Sequence, residues 1–243
     1  MKRLTLFIPL AIVLITAVSC KKGGLFCYKS DGTSVSELRD HQDFSEIHLS
    51  MAATVYVTQS TEYSVEVVAA ENLLPIIETE QKGDKLEIDL KRGKCLKGSS
   101  DVKVYISTPN IEELNISGSG SIYVDNYLST QSLKINISGS GDVDIDSLSN
   151  ERLEINISGS GEVEMTSLDT AQTQEIDISG SGSISALYAP ALQSDIHISG
   201  SGGCDVHVIE SLDANISGSG DVRYLGNPNV TSNISGSGSV SPY

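Results

Sequence analysis

From residue 44 onward, apolar and polar residues alternate in short runs: Thr54-Val55-Tyr56-Val57-Thr58, Tyr63-Ser64-Val65-Glu66-Val67, Lys85-Leu86-Glu87-Ile88-Asp89-Leu90 and Val102-Lys103-Val104-Tyr105-Ile106. A period of two with many β-branched residues predicts strands that bury one face each. The one helix-like stretch, Glu71 to Ile77, is broken by Pro75 and predicts no more than a turn. From Ile116 the pattern becomes periodic at a longer scale. The pentapeptide Ile-Ser-Gly-Ser-Gly begins at residues 116, 137, 157, 178, 198, 216 and 234, at spacings of 21, 20, 21, 20, 18 and 18 residues.

A fixed period near 20 residues marks a solenoid. Within one unit Leu133, Ile135 and Ile137 share a face of a first strand, and Val143 and Ile145 share a face of a second. Between them lies a Gly-Ser-Gly corner. Backbone torsions with φ > 0 are open to glycine without a Cβ penalty, so a chain that bends at the same place in every coil repeats the same glycines. The predicted corner residues are Gly118, Gly120, Gly139, Gly141, Gly159, Gly161, Gly180, Gly182, Gly200, Gly202, Gly218, Gly220, Gly236 and Gly238. Stacked in parallel about 4.8 Å apart, the coils place Ile on Ile and Ser on Ser and bury a stripe that no unit could bury alone. The residue before each repeat Ile points outward, and five of the seven are Asn, which predicts an amide ladder interrupted at Asp177 and His197. The fold class is therefore all-β, a parallel β-helix or β-solenoid with coils of about 20 residues.

The repeats, preceded by TEYSVEVVAAENLLPIIETEQKGDKLEIDL from Thr61 to Leu90, resemble the auto-transporter adhesin head (GIN domain) family of Bacteroidetes envelope proteins. The resemblance runs from Phe44 to the C-terminus. It implies a right-handed β-superhelix whose Gly-Ser-Gly turns join two sheets, similar in shape to pectin-lyase-like helices, and an adhesive role with no catalytic residues. The last two coils depart from it by shortening to 18 residues.

The amino terminus reads as an export signal: Lys2 and Arg3, an apolar run from Leu4 to Thr16 too short to span a bilayer comfortably, then Ala17-Val18-Ser19-Cys20. The last four residues resemble a bacterial lipobox and make Cys20 the expected lipid anchor, which acyl chains would hold at a membrane. The expected organisation is a signal peptide at 1–19, a lipidated terminus and tether at 20–43, less regular strand coils at 44–115 and the repeat solenoid at 116–243. In an oxidising compartment Cys27 and Cys95 can pair, whereas Cys204 aligns with inward Val143 and reads as a buried thiol.

Loss of residues 1–19 lowers Lys plus Arg from 16 to 14 against 32 acids, so the mature chain carries about −18. That charge repels phosphate backbones, and no nucleic acid is expected as a partner. The glycine corners open strands, not helices, and so lack the context of a dinucleotide loop. Asp142, Asp144, Glu162 and Glu164 should lie side by side on successive coils, a weak candidate for Ca²⁺ beside the simpler reading of a solvated acidic face. His41, His48, His197 and His207 show no zinc spacing. No cofactor is expected, and aromatic platforms for sugars look scarce, with no Trp and 5% aromatic residues. The expected function is non-catalytic and adhesin-like at the cell envelope, anchored by lipid and facing the periplasm or the surface at the outer membrane, with a host or matrix protein or a glycan as partner. A structural scaffold or self-assembling homo-oligomer is the alternative, and a polysaccharide-active β-helix enzyme ranks third.

Overall fold

The computed structural model describes residues 26–98 and 101–243. Residues 1–19, Cys20 and the first part of the tether lie outside the described residues. Strands stack into two parallel columns. The first column runs through Glu46–Leu49, Glu113–Gly118, Ser132–Gly139, Arg152–Gly159 and Ala171–Gly180, then the later halves of Ser183–Gly200 and Gly203–Gly218, and ends at Asn229–Gly236. The second runs through Thr54–Gln59, Ser121–Ser129, Asp142–Ser149 and Glu162–Ser167, then the earlier halves of the same two long strands, and ends at Asp221–Leu225 and Ser239–Pro242. Register is strict across the corners. Ile116 pairs with Ile137, Ile137 with Ile157, and Gly118 with Gly139.

Between the columns lies the core. Ile135, Ile155, Ile176, Ile196 and Ala214 are wholly buried, as are Leu133, Leu148 and Val163. The Gly-Ser-Gly corner keeps its place in the ladder, because the Ser140 backbone N–H donates to Gly118 O at 2.8 Å and Ser160 N–H to Gly139 O at 2.8 Å. Its two glycines serve different ends. The first of each pair lies at positive φ, +137° at Gly139, as expected. The second does not, and is glycine because a Cβ at Gly141 would lie 2.5 Å from Ile116 Cγ2 and 2.6 Å from Gly120 O.

The amino-terminal part departs from sequential winding. Lys85–Leu90 and Lys103–Thr108 pair in parallel with the outer edges of Glu46–Leu49 and Thr54–Gln59, whose inner edges carry the strands from 113 onward. The chain thus lays down one coil, crosses to its far side to cover it, and returns. Antiparallel strands close that end: Ile77–Lys82 on the first column, and Ser64–Ala70 followed by Ser34–Arg39 on the second.

The tether expected at 20–43 needs correction, since Phe26–Tyr28 and Ser34–Arg39 are strands. Composition made this stretch look like a spacer; backbone pairing with distant strands holds it against the fold. Cys27 and Cys95 form a disulfide with Cα atoms 4.3 Å apart, uniting the small parallel sheet of Phe26–Tyr28 and Lys94–Leu96. Cys204 is free and buried between Ile184 and Val222 in its column, and burial pushes its thiol well above the ordinary range.

Candidate binding faces

Alternation sends every second residue outward, and strict register aligns those residues into stripes. Along the first column Asn136 Nδ2 donates to Asn115 Oδ1 at 2.8 Å and Asn156 Nδ2 donates to Asn136 Oδ1 at 3.0 Å, which builds the expected amide ladder over these three coils; beyond the interruption Asn215 Nδ2 donates instead to Asp213 Oδ1 at 3.0 Å. His48 extends it one coil further, its Nε2 2.8 Å from Asn115 Nδ2. Burial and then Lys85 hold the His48 imidazole below its ordinary pKa, which suits the neutral acceptor role. The sequence pattern missed His48 because its strand lacks the repeat pentapeptide.

The acidic residues singled out from sequence are brought together as expected: Asp142 pairs with Glu162, and Asp144 with Glu164. They form cross-strand pairs and not a convergent shell, for among the described residues no group of three or more His, Cys, Asp or Glu is placed to hold a metal ion. Burial, then Glu164, Asp146 and Asp125, push the Asp144 carboxyl above its ordinary value.

On the same stripe, nearer the amino end, lies a feature that composition concealed. Tyr105, Tyr56 and Tyr123 occupy matched positions on three coils. Their rings stack at centroid distances of 5.2 and 5.6 Å with interplanar angles of 13° and 22°. The scarcity of aromatic residues is therefore true of the chain and misleading for this face. The three are distant in sequence, and only the non-sequential coil order unites them.

A groove of 560 Å³ runs across the coils where the strands of the first column begin. One rim follows the register Glu154, Glu175, Asp195, Asp213. Lys134 donates to Glu154 at 2.6 Å, and this bond together with that from Asn156 holds the Glu154 carboxyl below its ordinary range. The floor follows the inward register Leu153, Gln174, Ser194, Leu212, so two polar residues interrupt an otherwise apolar column.

Residues 43–228 match the family described as "Putative auto-transporter adhesin, head GIN domain". The chain belongs to this family. Among solved structures of the same fold, a "putative adhesin" from Bacteroides fragilis has 25% identity and a TM-score of 0.84, the match covering 89% of this chain and 100% of that one. A "putative lipid binding protein" from Parabacteroides distasonis has 27% identity and a TM-score of 0.72, covering 89% and 99%. A "putative adhesin" from the same species has 25% identity and a TM-score of 0.69, covering 88% and 99%. Among curated proteins, none matches the chain. This GIN-domain solenoid thus shares its architecture with adhesin-like proteins of Bacteroidetes, and among its described residues no helix is long and apolar enough to cross a membrane.

Proposed function

We infer that this GIN-domain protein is a non-catalytic cell-envelope lipoprotein, held at the outer membrane through Cys20, whose solenoid binds an extended partner such as a matrix protein or glycan. One observation carries the reading: side chains repeat in register over many coils, so recognition is spread along a face instead of being concentrated in a catalytic pocket. The family description and the adhesins of the same fold support it. The second reading, a scaffold that self-assembles, draws on the coil Asn229–Pro242, whose two strands carry no charged side chain and whose Val230 and Ile234 are each 39% exposed.

The test uses the mature chain as a soluble protein against a panel of matrix proteins and glycans, together with protease shaving of intact cells. Saturable binding and cleavage without lysis support the adhesin reading. Complete protection and no binding overturn it, concentration-dependent association without ligand favours the scaffold, and polysaccharide turnover favours an enzyme. Replacing Cys20 by Ala moves the protein from the membrane to the soluble fraction if the anchor is as inferred.

A further inference from the structure

In the inward column of first strands, Leu133, Leu153 and Leu212 are at most 2% exposed and pack as the core demands. Between Leu153 and Leu212 stand Gln174, 2% exposed, and Ser194, 4% exposed. Burying an amide and a hydroxyl where leucine fits is costly unless their hydrogen-bonding capacity is used. Ser194 Oγ donates to Gln174 Oε1 at 3.2 Å, and this is the one side-chain bond of Gln174 among the described residues. Its amide N–H groups are left without a protein acceptor. Both residues line the groove, so the unspent donors are available to whatever occupies it.

The rim adds complementary chemistry. Glu154 is committed to Lys134 and Asn156, Asp213 Oδ1 accepts from Asn215 Nδ2 at 3.0 Å and Asp195 Oδ1 lies 3.5 Å from His197 Nε2, which leaves Glu175 and one carboxylate oxygen each of Asp195 and Asp213 as hydrogen-bond acceptors on three successive coils. An occupant must therefore accept from the floor, donate to the rim and repeat along the solenoid axis; the acids on successive coils disfavour a negative charge, and Arg152, the one cation of the lining, stands at the Glu154 end. Hydroxyl groups both accept and donate, and the volume lies within the range of about 300–1,000 Å³ usual for ligand sites. The rung spacing of about 4.8 Å is comparable to the length of one pyranose ring, so successive sugars of an extended β-1,4-linked chain can meet successive coils.

We propose that this groove binds a neutral, β-linked saccharide chain lying along the solenoid axis, with Gln174 and Ser194 contacting it from the floor and Glu175, Asp195 and Asp213 from the rim. The inference rests on the adhesin reading and names its ligand class. Cationic polymers would meet the same rim by charge alone, and such binding would vanish at high salt, whereas hydrogen-bonded neutral sugars resist it.

Calorimetric titration of the mature protein with neutral β-linked gluco-, xylo- and N-acetylchito-oligosaccharides of two to six units tests the proposal. Affinity is expected to rise with length to about four units, to level off thereafter, and to change little between low and high salt. Gln174→Leu restores the apolar column, should fold at least as stably as the parent, and should weaken binding tenfold or more. Asp195→Asn, which keeps the side-chain shape, should weaken it severalfold. Equal affinity in a folded Gln174→Leu protein, no dependence on length, or preference for a basic polymer that salt abolishes each overturns the proposal. If the protein binds its panel saturably while Gln174→Leu is without effect, the groove assignment fails and the adhesin reading stands; if it binds nothing on the panel, both fail.

Discussion

At Gly139 the backbone φ is +137° and a Cβ would lie 2.3 Å from Gly118 O, so any side chain there collides with the coil beneath. Gly139→Ala is expected to cost at least the roughly 1–3 kcal/mol of such a backbone conformation, whereas Gly203, with nothing within 4 Å of its Cβ position and no positive φ, should accept Ala almost neutrally. Chemical denaturation of the two variants checks the contrast. Asp144 offers a second test. Because the fold raises its pKa, the stability linked to this group is fullest below the unfolded value and is lost as pH rises through the folded one. Asp144→Asn should therefore raise the melting temperature at pH 7 and flatten its dependence on pH in the mildly acidic range. The sequence made the corner glycines legible as a set, but not that one of each pair answers a torsion and the other an isoleucine methyl from the preceding coil. Gln174 stands four residues before its repeat Ile, as Leu133 and Leu153 do, so the repeat register marks it as inward; what the sequence did not show is that a groove opens onto this point of the column.

Among the elements, the two columns were legible because period two sets the face and period 20 sets the stack. The first covering coil was not. Lys85–Leu90 reads as an ordinary amphipathic strand, and nothing local to it shows that its partner is Glu46–Leu49, which also serves Glu113–Gly118. The same long-range pairing conceals the tyrosine row and the docking of Ser34–Arg39. The disulfide fastens this end by closing a loop of 68 residues between Cys27 and Cys95. In the chain-entropy account a loop of that size stabilises by about 4 kcal/mol. Reduction, or replacement of both cysteines by Ala, should lower the melting temperature and open residues 26–39 to protease first, while the repeats stay protected.

For the molecule as a whole, 32 acids against 16 Lys plus Arg make a strongly anionic solenoid. Its acidic pairs lie in register, and Asp142 beside Glu162 repels across one rung spacing. Added salt screens such pairs, so the melting temperature should rise between low and physiological ionic strength. The charge also disfavours anionic polymers as ligands and leaves hydrogen bonding and shape to select the partner.

Each coil in this account is an interchangeable rung that supports the core and lengthens the binding face. Deleting residues 140–159 joins Gly139 to Ser160 and rebuilds an intact Ile-Ser-Gly-Ser-Gly corner with one coil fewer. Thermal unfolding followed by circular dichroism should then show a cooperative β protein with a melting temperature within a few degrees of the parent. An unfolded or aggregated product would contradict the parallel stack, because removing 20 residues from any non-repeating β architecture deletes strands that its neighbours need.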